Sequence, residues 1–171
     1  ISPDSKIITG KYLYNYIYTN FIVAQFNSPK IIHCRRHPLD NILSMYRANF
    51  RYGNRYTSSL EDCARIYLSQ EELMSRYKKK YASFIYTLDY NKLVANPSQE
   101  IRSIIKWLEW DWHQSYLKPE LNKRNIRTAS STQVRNPINT KSINSWKNYI
   151  EMLEPAIKVL KSKERYKNII Q

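Results

Sequence analysis

Residues 30–50, KIIHCRRHPLDNILSMYRANF, constrain the fold most, because an apolar run, two arginines, a proline and an amphipathic segment follow one another without a gap. Lys30 to Cys34 is too short for a helix and lies between Pro29 and Pro38, so it reads as a buried strand. Pro38 suits the first turn of a helix: it lacks the amide hydrogen that would go unpaired there, and its φ is already helical. Leu39, Ile42, Leu43, Tyr46 and Phe50 then recur as one apolar helical stripe. Asp40, Ser44, Arg47 and Arg51 keep the same period on a different face.

A strand that delivers arginines to a helix N-terminus makes an anion site. Unpaired amides and the positive end of the helix dipole add to the guanidinium charge. Arg35 and Arg36 point to opposite sides of an extended chain, so one of them faces a given ligand and the other serves elsewhere. The reading favours Arg36, with Ser44 donating a hydroxyl hydrogen bond one turn into the helix. On residues alone, two surface cations and an ordinary exposed serine are the more economical account of the pattern.

The 171 residues suffice for one domain with a sizeable core, and 42% hydrophobic with 13% aromatic residues excludes a disordered chain. With only Gly10 and Gly53 there is neither a glycine-rich phosphate loop nor a GxGxxG cradle. A net charge of +14 suits a polyanionic partner, nucleotide, nucleic acid or anionic lipid, without choosing among them. The run Lys78 to Lys80 reads as a solvated face. Cys34 and Cys63 show no ligand spacing and read as buried thiols, and the scattered histidines indicate no metal site. No apolar run is long enough to span a bilayer.

Elsewhere the apolar spacing predicts a helix over Tyr12 to Phe26 and another from Ser59 to about Tyr77, with Ser58 and Glu61 at capping-box spacing. Phe84 to Leu88 reads as a second strand. Asn96 and Pro97 form an N-cap and first-turn proline ahead of the stripe Ile101, Ile104, Ile105 and Leu108. Residues 128–141, rich in Ser, Thr and Asn, read as a loop long enough to require a function. Trp146 reads as the anchor that packs this segment down, and Pro155 opens a last, basic helix.

Three stretches carry a family resemblance. RRHPLDNILSMY resembles the 3′-phosphate-binding segment of sulfotransferases that use 3′-phosphoadenosine 5′-phosphosulfate (PAPS), with Arg36 and Ser44 at the positions that hold the 3′-phosphate. DYNKLVANPSQEIRSIIKWLEW resembles the element YEDLVxxPxxxxxxILxFLG, in which the tyrosine, here Tyr90, lies near the nucleotide; the following Glu is Asn91 here. TASSTQVRNPINTKSINSWKNYIEML resembles the SxxQVRxPIxxxSxxxWxxY segment of bacterial and tyrosylprotein-type sulfotransferases, the loop that closes over the nucleotide. This match implies contacts from Ser130, Ser131, Thr132, Gln133, Val134, Arg135 and Lys141. Lys11 matches a lysine that stabilises charge at the transferring sulfonate, although TGKYL lacks the family's acidic or amide neighbour and its proline.

The resemblance implies an α/β fold: a parallel sheet flanked by helices, P-loop-like, with the nucleotide at the carboxyl ends of the strands. It covers the C-terminal two thirds of a sulfotransferase domain, read here as a single N-terminally incomplete unit over residues 1–171. The 5′-phosphosulfate loop and the general base are expected outside it, and the isolated chain is expected to be inactive or nearly so. The implied reaction moves a sulfonate from PAPS to a hydroxyl or amine acceptor and releases 3′-phosphoadenosine 5′-phosphate (PAP). No metal and no nucleic acid partner is expected. An inactive sulfotransferase-like binding or structural domain and, more remotely, a basic RNA-binding module remain open. So do the acceptor, the oligomeric state and the compartment, for which the cytoplasm is favoured.

Overall fold

In a computed structural model the described residues are 7–48, 53–122 and 135–170. Their order is α1 (Thr19–Gln25), β1 (Ile31–Arg35), α2 (Pro38–Arg47), α3 (Leu60–Lys80), β2 (Ile85–Asp89), α4 (Tyr90–Ala95), α5 (Pro97–Trp107) and α6 (Glu154–Lys161), joined by turns. The fold is α/β: β1 and β2 pair in parallel and helices flank them.

The strand–proline–helix order holds, but in β1 His33 alone is buried, Tyr46 on the expected apolar stripe is exposed, and Phe50 lies outside the described residues. β1 spans Ile31–Arg35, and Pro38 opens α2 from within its first turn. Leu39, Ile42 and Leu43 are buried and meet Leu60, Cys63, Ala64 and Tyr67 of α3 and Ala156, Ile157 and Leu160 of α6. Each such aliphatic side chain contributes roughly 1.5–3 kcal/mol by leaving water. Trp146, in a 3-10 turn over Ser145–Tyr149, joins the same core, as an anchor should.

Four further sequence expectations are corrected. The helix expected over Tyr12–Phe26 is regular only from Thr19. Before it, Asn15, Ile17 and Tyr18 each donate to the carbonyl three residues back, the tighter turns that a run of aromatic and β-branched residues tolerates better than α-helix. Ile17, Tyr18 and Phe21, expected on its apolar stripe, are exposed.

The cap of α3 is Ser59, not Ser58: Ser59 Oγ accepts from the Asp62 amide at 3.2 Å, while the Ser58 hydroxyl turns back to the Arg55 carbonyl. Cys34 is exposed rather than buried. It shares with Ile32 the face of β1 opposite His33, and that face is uncovered among the described residues. Lys78 is not simply solvated but half-buried beside Arg35 and Glu71. Cys63 is buried, as expected.

The helix from Pro97 has its expected Asn96 cap, which accepts from the Gln99 amide. The short α4 before it is a separate helix, capped by Asp89, whose carboxylate accepts from the amides of Asn91 at 2.9 Å and Lys92 at 3.1 Å. Among the described residues no helix is long and apolar enough to cross a membrane.

Candidate active site

The parallel register pairs Arg35 with Asp89, so the next residue on each chain, Arg36 and Tyr90, emerge side by side at the carboxyl ends of the two strands. The Arg36 guanidinium lies over the Tyr90 ring, 4.9 Å from its centroid. Such a contact contributes about 0.5–2 kcal/mol and fixes the plane of the guanidinium. Arg36 Nη2 donates to the Ser142 carbonyl, which lies 106 residues further along the chain. The same nitrogen is 3.9 Å from Asp40 Oδ1, a charge contact too long for a hydrogen bond. Arg36 Nε is buried and has no partner among the described residues. The side chain therefore holds an unspent N–H in a fixed position, which is what an anionic oxygen requires.

Alternation along β1 separates the two arginines as expected. Arg35 turns away to the buried Glu71 of α3, Nη2 to Oε2 at 3.1 Å. His33, on the same side, has Nε2 at 3.6 Å from Glu71 Oε1, and both ring nitrogens lack hydrogen-bond partners among the described residues. Burial first, then Lys78 and Arg35, push the His33 imidazole down to about 4. This ring is neutral at neutral pH and belongs to the structural side of β1.

Asp40 was missed. Its helical period groups it with the polar Ser44 and Arg47, yet it is 1% exposed and accepts three hydrogen bonds. Oδ2 takes the Asn144 amide at 2.9 Å, and Oδ1 takes the Ser145 hydroxyl at 2.8 Å and the Trp146 amide at 3.0 Å. Asn144 presents its amide from a left-handed conformation, φ 56°, which Asn adopts more readily than most residues. The one signal in the sequence was the carboxylate itself, placed in the first turn of a helix whose N-cap, His37, makes no side-chain cap.

His37 instead stacks on Trp146, ring centroids 5.1 Å apart and planes 5° from parallel. Burial chiefly lowers its pKa, against the pull of Asp40. His37 Nδ1 and Asn91 Oδ1 are further buried atoms without partners.

Ser44 lies two helical turns beyond Arg36, exposed, and its hydroxyl makes no hydrogen bond with the described residues. Arg135 and Lys141 are exposed, and Arg135 Nη1 donates to the Asn122 carbonyl. Lys11 is exposed, and among the described residues no hydrogen bond or ion pair joins it to Arg36. Ser130, Ser131, Thr132, Gln133 and Val134 lie outside the described residues.

A profile of the sulfotransferase family matches residues 2–114. The chain belongs to that family. The matched stretch contains both strands, Arg36, Asp40, Ser44 and Tyr90, but stops short of the segment that supplies Ser142 and Trp146. The chain is also 31% identical over 163 residues to an uncharacterized protein of Aquifex aeolicus (strain VF5), covering 94% of this chain. It spans about a fifth, 21%, of the length of that relative.

Proposed function

We propose that this sulfotransferase-family chain serves sulfonate transfer from PAPS to a hydroxyl or amine acceptor, and that Arg36 holds the 3′-phosphate of the nucleotide. The observation that carries this reading is the Arg36 side chain: braced on Tyr90 and Ser142, it keeps a buried Nε–H that has no partner among the described residues. A phosphate oxygen fits that donor, and binding there relieves an unsatisfied buried group. Ser44, one turn beyond Asp40 in α2, is assigned a hydroxyl contact to the same anion. Asn91 Oδ1, an unpartnered acceptor beside Tyr90, is available to a base amine.

PAPS, when bound, supplies an activated sulfonate on a phosphosulfate linkage, and the chemistry resembles phosphoryl transfer in needing charge neutralisation and in-line placement. The part assigned to this chain is orientation. Arg36 fixes the nucleotide by the phosphate distal to the reacting sulfur, so binding energy made far from the reaction serves to place it. Arg135 and Lys141 are assigned positive charge toward the nucleotide, as the resemblance of their stretch implies. Lys11 is assigned charge stabilisation near the sulfonate, and Tyr90 acts through Arg36 by holding the guanidinium flat.

Calorimetric titration with PAP, against adenosine 5′-phosphate as the ligand that lacks the 3′-phosphate, tests the reading. The chain is expected to prefer PAP, and Arg36→Ala to reduce that preference about 10- to 100-fold, the value of charge-assisted hydrogen bonds to one phosphate. Equal affinity of the unaltered chain for both ligands would remove Arg36 from the nucleotide site. Binding of PAP without turnover of PAPS across hydroxyl and amine acceptors would favour a binding domain that has lost its chemistry.

A further inference from the structure

Asp40 carries a negative charge into the wall of an anion site, which simple electrostatics counts against binding. At 3.9 Å from Arg36 its carboxylate partly cancels the charge meant for the ligand. If proximity were the whole story, removing that charge would make the site bind anions more tightly. The geometry opposes this. Neither carboxylate oxygen is hydrogen-bonded to Arg36; both are committed to residues 144–146, by the three contacts of 2.8 to 3.0 Å described above.

That segment begins with Ser142, whose carbonyl receives Arg36 Nη2. The Ser145 hydroxyl stands between the two anchors, 2.8 Å from Asp40 Oδ1 and 3.3 Å from the Ser142 carbonyl. Arg36 is thus seated on a carbonyl that Asp40 holds in place, while Trp146, carried by the same segment, stacks on His37 at the start of α2. With Nη2 committed to Ser142, the neighbouring Nε–H is the buried donor left without a partner among the described residues.

We infer that Asp40 is the positioning residue of the Arg36 anion site, fixing the 142–146 segment that seats the guanidinium and so keeping the Nε–H for the ligand. It acts through Ser142 and touches no ligand itself. This rests on the nucleotide reading above and adds to it the residue that sets recognition of the 3′-phosphate. The cost of a nearby negative charge is outweighed by the cost of a guanidinium free to rotate away.

Asp40→Asn keeps the size of the side chain, removes its charge and turns an amide donor toward the amides of the segment. The readout is the ratio of PAP to adenosine 5′-phosphate affinity by titration calorimetry, with near-ultraviolet circular dichroism confirming the fold. The ratio is expected to fall about tenfold in Asp40→Asn. Ser145→Ala, which leaves the charge in place and deletes one of the three bonds, is expected to lower it in the same direction and by less. A ratio that rises in Asp40→Asn means that Asp40 acts only by its charge, and the inference is overturned. An unchanged ratio makes it a structural tie alone, with the same consequence. Should Asp40→Asn not fold, Ser145→Ala decides by the same criterion. If the unaltered chain shows no preference for PAP, it is the nucleotide reading that fails, and the variants need not be made to see it.

Discussion

Trp146→Ala is expected to lower the stability of the chain by about 3–5 kcal/mol, a large part of the 5–15 kcal/mol that holds a typical domain together. The indole is 3% exposed and lies in the cluster formed by α2, α3 and α6, so truncation leaves a cavity walled by three helices that cannot collapse together. It also removes the stack on His37, worth about 0.5–1.5 kcal/mol beyond area. Against this stands the indole Nε1–H, buried and unpartnered, which already costs the native state something. Trp146→Phe keeps the ring and deletes that donor, so its loss is expected to stay below about 1.5 kcal/mol. Urea denaturation of both variants separates the two terms. Equal losses would mean that the Nε1–H, and not the volume, matters.

Acidification is the second large effect. His33 is nearly excluded from solvent, and its folded pKa of about 4 lies below the ordinary 6.5. Between these values the unfolded chain binds the proton and the folded chain refuses it, so stability falls as the pH drops from 6.5 toward 4. The full loss is about 3 kcal/mol, most of it incurred by pH 4.5. The groups facing the ring are Glu71 and Lys78 from α3 and Arg35 from its own strand. Burial is the chief reason the imidazolium is disfavoured, and two of the three neighbours, Lys78 and Arg35, are cations that add to it. His33→Leu is expected to flatten the dependence over this range, read as urea midpoints at pH 7 and 4.5. A wild-type midpoint that stays level between those pH values would contradict it.

The segment from Lys30 to Arg47 was legible because its signals are local. An apolar run ending in charge, a proline with fixed φ and a helical apolar stripe each act within a few residues, and β1, α2 and the seat of Arg36 followed. Asp40 was not legible, because its meaning lies 104 to 106 residues away in the donors of Asn144, Ser145 and Trp146. Glu71 failed for the same reason. In the sequence it is one acid in a polar helix, and only the packing of α3 under β1 makes it the buried partner of Arg35 and His33. Cys34 erred in the opposite direction: an apolar strand was taken to be covered on both faces, and one face is open among the described residues. Arg36 was favoured from the residues themselves and Tyr90 from the resemblance. Their contact depends on a strand register that no pattern within either strand specifies.

The tie between Asp40 and residues 144–146 also dictates an order of assembly. Bringing together positions 104 residues apart costs about 4 kcal/mol in chain entropy before any bond is made. The contacts of α2 with α3 span far less chain and form at lower cost. During refolding the amides of Asn144 and Trp146 are therefore expected to gain protection from hydrogen exchange after those of α2 and α3, as pulse labelling would read. On the proposed reading Arg36 would take its final orientation in that last step, its anion site completed by a stretch of chain that comes long after it.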